Sequence, residues 1–211
     1  MKNHKRILFV LIALLSFSFS GTAGLSGAET KPSSEKPKVF TEKGVFSIPV
    51  PEEGFAWKKS QSMKAGNIPT DIYLCTKPES EYRTVLTVKG IEAKEDEVRV
   101  AMLKGEFNGL YNTFQKAGLK FIETKQPNVT PPIPKNVEFA FHLQNPEGKD
   151  VFVQGQTIFG KKIYTIMVMT PDKKETEKIL KTLHEGFREG GAEKKKATPE
   201  KKKSAPTKSG K

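Results

Sequence analysis

One cysteine, one tryptophan and three histidines are all that this 211-residue chain offers of the residue types that most often carry disulfides, metals and nucleophilic chemistry. With Cys75 alone, no intramolecular disulfide can form. The folded part must therefore be held by a hydrophobic core, and a Cys-rich zinc framework is excluded. Long apolar runs are also absent after the first twenty residues, so nothing beyond them reaches the ~20 residues needed to span a bilayer. No glycine-rich loop is followed by the Lys-Ser or Lys-Thr that cradles a nucleotide phosphate, and no cofactor motif is visible.

What is present is concentrated at the ends. Lys2, Lys5 and Arg6 precede an apolar run from Ile7 to Leu15, which gives way to small residues through Ala28. Basic head, apolar middle and small-residue tail are the three parts of a secretory signal. Cleavage fits after Ala23 or after Ala28, and Ala28 is preferred because charged, linker-like sequence starts at Glu29. An uncleaved anchor is the alternative. The expected location is outside the cytoplasm, periplasmic or secreted. Residues 29–38 carry Pro32 and Pro37 and read as a linker. At the other end, residues 191–211 hold eight lysines and no large apolar side chain, so a disordered tail is expected.

The net charge of +12 divides unevenly. The leader carries +3 and the tail +6, which leaves +3 for residues 29–192. A domain this close to balance lacks the basic surface that nucleic acid requires. The tail does offer clustered charge at Lys194, Lys195, Lys196, Lys201, Lys202 and Lys203. It reads either as a salt-sensitive tether to an anionic surface or as a solvating end without a dedicated partner.

Between the ends, residues 39–190 suffice for one domain. Residues 44–50 alternate, with Phe46, Ile48 and Val50 on one face. A short strand at 55–59 and β-rich runs at 71–77 and 82–91 follow, with a turn at 67–70. Apolar residues spaced by three and four, from Val100 through Leu103, Phe107, Leu110 and Phe114, predict a helix over 95–117. Gly105 and Gly109 weaken its interior by roughly 1 kcal/mol each against alanine. Their spacing imitates a membrane dimer motif, but an amphipathic helix does not suit that reading. Four further strands are predicted, at 119–125, 136–144, 151–159 and 162–169, with a turn at 145–148 and a two-residue hairpin at Gly160-Lys161. A last helix is expected from Pro171 to about Arg188, capped by Thr170. Several late strands are apolar on both sides and need cover on both faces. The expected fold is α+β: an antiparallel sheet of about seven strands flanked by two main helices, an α/β/α sandwich.

The opening Phe46-Ser47-Ile48-Pro49-Val50-Pro51-Glu52-Glu53-Gly54-Phe55-Ala56-Trp57 resembles the entry of PsbP-like domains, an apolar strand, a proline turn and aromatic-x-Trp. Ile163-Tyr164-Thr165-Ile166, followed by a helix to Phe187, resembles their ending. The resemblance covers residues 40–189. It implies an α/β/α sandwich, often exported, acting as a binding or assembly accessory and usually not as an enzyme. It supplies no functional residues, and fold alone does not transfer a photosynthetic role.

The remaining chemistry is sparse. Cys75 lies beside Leu74 in a β-rich run and reads as a buried small hydrophobe, not as a nucleophile paired with His142 or His184. Glu138 and His142 share a strand face but stand ~13 Å apart, too far to close on one metal ion. Gly155 marks a bulge or a close approach, and Trp57 a core anchor in preference to a recognition aromatic. The prolyl stretch 127–134 is a contact loop or a plain connection, and the glycosylation-like Asn128-Val129-Thr130 within it carries no weight. Together these favour an exported, non-enzymatic binding or accessory module. Its partners would be a protein or envelope component and, through the tail, an anionic surface. An envelope assembly protein and a hydrolase with a site of scattered residues are the rival readings.

Overall fold

The computed structural model describes residues 38–78 and 80–190. The leader, most of the linker and the lysine tail lie outside them. Ten strands and two helices form the fold of the described residues. The main sheet is antiparallel and seven-stranded, in the order β3-β4-β5-β9-β8-β7-β6. Its strands are β3 (Ala56–Ala65), β4 (Ile68–Thr76), β5 (Arg83–Lys89), β6 (Lys120–Lys125), β7 (Asn136–Gln144), β8 (Asp150–Phe159) and β9 (Ile163–Thr170). A separate three-stranded sheet joins β1 (Val39–Glu42), β2 (Phe46–Pro49) and β10 (Arg188–Glu189), with β2 in the middle. The first predicted strand thus belongs to this small sheet and not to the large one.

The helix α1 (Asp96–Lys116) carries the chain from β5 in the sheet interior to β6 at the far edge. Its buried Leu103, Phe107, Leu110 and Phe114 are the predicted stripe. Phe107, Leu110 and Phe114 pack on residues from one face of the sheet, among them Val85, Phe141, Val153 and Met167, and Leu103 packs with Val137, Phe159 and Ile163. The helix ends in a Schellman motif. Gly118 (φ +76°) donates to the Gln115 carbonyl and Leu119 to that of Phe114.

The opposite face carries α2 (Lys173–Gly186) and the small sheet. Ile179, Leu180 and Leu183 of α2 meet Phe46 and Ile48 of β2 over Tyr73, Leu86, Ile166 and Val168. Trp57 is buried, and its Nε1 donates to the Pro49 carbonyl at 2.9 Å, fastening one sheet to the other. Each face of the main sheet therefore has its own core, as the two-sided apolar strands require.

Local expectations are corrected in three places. The cap of α2 is Asp172, whose carboxylate accepts from the Glu175 N–H at 2.8 Å. Thr170 instead braces the preceding turn, its hydroxyl accepting from the Asp172 N–H. The turn predicted at 67–70 is a tighter hairpin at Gly66-Asn67, and Pro69 stands inside β4 opposite Lys64. The β8–β9 connection has three residues, because Phe159 pairs with Ile163. A Cβ at Gly160 would lie 2.5 Å from the Glu189 carboxylate, so a side chain there would have to displace that carboxylate from the Lys162 N–H and the Tyr164 hydroxyl. Of the two readings of Gly155, the close approach holds and no bulge is present. The glycine pairs with Phe139, whose ring lies where a Cβ would be, 2.0 Å from Cζ. The prolyl loop is a pinned connection. Ile133 is buried, and Arg99 of α1 donates to its carbonyl at 2.9 Å.

Candidate functional site

α1 is one helix laid across a seven-stranded sheet, so it cannot cover the whole face. The part it leaves open lies over β3, β4 and β5. An apolar groove of about 530 Å³ runs there between the β3–β4 hairpin and the helix. Met63, Ile68, Ile72 and Val85 line the sheet side, and Met102 and Leu110 the helix side. Such a volume falls within the ~300–1,000 Å³ of small-molecule sites. Two further residues of the helix wall are Gly105 and Gly109. A Cβ on either would meet nothing within 4 Å. Internal packing therefore does not require glycine at these positions. The missing side chains leave room along the groove.

The polar groups of this groove form a connected set. Lys89 Nζ lies 2.8 Å from Glu106 Oε2, and both side chains are only about one-seventh exposed, 14% and 13%. The Thr165 hydroxyl donates to the same carboxylate oxygen at 3.0 Å and is 3.2 Å from the Thr157 hydroxyl. An ion pair this shielded from water is costly to break from one side only. Lys116 lines the groove near the end of α1 and has no ion-pair partner among the described residues.

A second cleft, of about 790 Å³, lies on the opposite face. α2 packs over β9, β8 and β2 and leaves β6 and β7 uncovered. The cleft is the space between the α2 flank and those strands. Glu138 and His142, separated along β7 as expected, both line it, and so does His184 from α2. His142 Nε2 is 2.9 Å from Asp150 Oδ1, and its ring stacks on Phe152 at 4.4 Å. His184 Nδ1 is buried without a hydrogen-bond partner among the described residues. Leaving such a group unpaired costs about 1–3 kcal/mol.

The two histidines thus share one cleft although nothing in their sequence spacing pairs them. The cysteine does not join them. Cys75 lies on β4, four strands from β7 in the sheet order, roughly 19 Å away at the usual strand spacing. It is fully buried, and burial pushes its thiol up to about 12, so no thiolate is on hand as a nucleophile. Burial likewise holds the hydroxyls of Tyr73 and Tyr164 above the ordinary tyrosine range, with Glu42 acting on the first and Glu189 on the second. Among the described residues no three His, Cys, Asp or Glu side chains converge as a metal site.

No family model matches this chain, and no curated protein matches it. The candidate polyanion contacts Lys194, Lys195, Lys196, Lys201, Lys202 and Lys203 lie outside the described residues. No helix of the described residues is long and apolar enough to cross a membrane. Sequence reading missed the groove residues Lys89 and Glu106 and the cleft residue Gln156. The one usable signal was the Gly105/Gly109 pair, which placed two helix-weakening residues one turn apart on an otherwise well-formed helix.

Proposed function

We propose that this protein is an exported, non-enzymatic binding module that receives a small amphiphile, apolar body inward, in the groove beside α1. The observation that carries the reading is the pair Gly105 and Gly109, which cost helix stability, relieve no clash and border an apolar space. Lys116 at the groove supports an anionic head group on the ligand. The resemblance of residues 46–57 and 163–187 to PsbP-like domains supports the same reading, and membership in that family is part of the same proposal. The lysine-rich end, Lys194 to Lys203, serves as a salt-sensitive tether to anionic surfaces.

The groove reading is tested with 8-anilinonaphthalene-1-sulfonate, an aromatic sulfonate that fluoresces in apolar surroundings. The protein should bind it at one site and release it to dodecanoate. Gly109→Leu, which fills the groove, should abolish binding without loss of fold by circular dichroism. Unchanged binding by that variant refutes the site. The tether is tested apart from the groove. Truncation after Gly191 should abolish retention on phosphatidylglycerol vesicles at low salt and leave thermal stability unchanged. Equal retention of both forms refutes it.

A further inference from the structure

The α2 cleft presents an amide that makes no hydrogen bond to the described residues. Gln156, on β8, is only 6% exposed and lines the cleft. It pairs with Glu138 on β7 and Ile166 on β9, so it stands in the middle of the sheet and not at a rim. Its neighbour Gln154 donates to Glu177 Oε1 at 3.3 Å, whereas the Gln156 side chain has no hydrogen-bond partner among the described residues. The Gln156 amide is not among the fully buried unpaired atoms, so it opens into the cleft, where water or a ligand supplies its bonds. His184 lines the cleft from the facing helix, although its Nδ1 is fully buried and unpaired.

The chemistry of the lining narrows the ligand. Glu123, Glu138 and Glu177 stand against Lys125, Lys173 and Lys181, so neither sign of charge prevails. Some of these are already engaged, as in Lys125–Glu138 at 3.2 Å. A strongly anionic or cationic ligand gains little there. The Gln156 amide both donates and accepts, and an imidazole nitrogen does either according to its tautomer. A hydroxyl answers both, since it donates and accepts at one atom. Phe152 adds an apolar surface for the C–H side of a ring.

We infer that the α2 cleft is a binding site for a neutral saccharide, with Gln156 as its central hydrogen-bonding residue. The site is separate from the α1 groove, because the main sheet lies between them, and it does not depend on the amphiphile reading.

The full chain is titrated calorimetrically with maltotriose, cellotriose and chitotriose, and with trilysine and triglutamate as charged controls. At least one trisaccharide should bind one-to-one, at least tenfold tighter than either charged peptide. Gln156→Leu should weaken that binding at least tenfold while keeping the wild-type spectrum and melting temperature, since it removes a group with no internal bond. Ala140→Trp, which fills the cleft from β7, should abolish binding as an independent check should the first variant misfold. The anilinonaphthalene probe should remain bound throughout. No binding of any trisaccharide at 10 mM overturns the inference, as does tighter binding of a charged peptide or wild-type affinity in the Gln156→Leu protein.

Discussion

Replacing both Gly105 and Gly109 with alanine should make this protein more stable and a poorer receptor. Glycine in a helix interior costs about 1 kcal/mol against alanine, because the unfolded chain loses more freedom on folding. The gain is realised only where the new methyl fits. Here a Cβ at either position has nothing within 4 Å, so no strain offsets it. Both residues are helical, within Asp96–Lys116, and neither has a positive φ. The two sites are one turn apart and share no partner, so their effects should add to about 2 kcal/mol. For a domain of this size 1 kcal/mol moves the melting temperature by roughly 2–4 °C, so the double variant should melt about 4–8 °C higher. Thermal unfolding followed by circular dichroism at 222 nm measures it. The two methyls also narrow the groove, so the affinity for anilinonaphthalene sulfonate should fall in the same protein. A lower melting temperature would refute the packing half of the reasoning. A more stable protein that binds the probe as tightly as wild type would refute the functional half.

Three further outcomes follow from the same geometry. Lys89→Met leaves the Glu106 carboxylate mostly buried with only Thr165 as its donor. Urea unfolding should show a loss of about 3–5 kcal/mol, and adding Glu106→Leu should recover most of it. Gly155→Ala should destabilise by about 1–3 kcal/mol or more, because its methyl collides with three ring atoms of Phe139 at 2.0–2.6 Å. Pairing it with Phe139→Leu should restore part of the loss in the same assay. Cys75 imposes a pH dependence whose sign is set by burial. The folded thiol is pushed up to about 12, whereas the unfolded one titrates near ~8.5. Below ~8.5 both states hold the proton and its contribution is fully present. Above it only the unfolded chain gives the proton up, so stability falls as pH rises. Between pH 7.5 and 9.5 the wild type should lose about 1.4 kcal/mol more than Cys75→Ala. Parallel urea curves for the two proteins across that range would contradict it.

The three turns and caps that differed from expectation share a cause. Asp172 and Thr170 are both good caps, and only the path of the chain decides which carboxylate or hydroxyl faces the free N–H groups. Pro69 signals a turn locally, but Gly66 with φ +66° closes the hairpin earlier and leaves the proline inside a strand. Gly155 and Gly160 look alike in sequence. One makes room for a ring across a strand pair, the other for Glu189, 29 residues further on. Such reasons are non-local and leave no mark on neighbouring residues.

Periodicity and composition by themselves determined the layers of this protein. A stripe of Leu103, Phe107, Leu110 and Phe114 can only be a helix with one dry face, and strands apolar on both sides can only lie between two covers. Burial of Cys75 was legible for the same reason. Tertiary structure alone decided where the covers stop. One helix is narrower than seven strands, so each face keeps an uncovered part, and chain connectivity determines which. α1 leaves β3 and β4 open and makes a groove of two glycines and an ion pair 17 residues apart in sequence. α2 leaves β6 and β7 open and gathers His142, Gln156 and His184 from two strands and a helix. Local signals report which residues avoid water, but which polar groups meet in the gaps depends on contacts between distant parts of the chain.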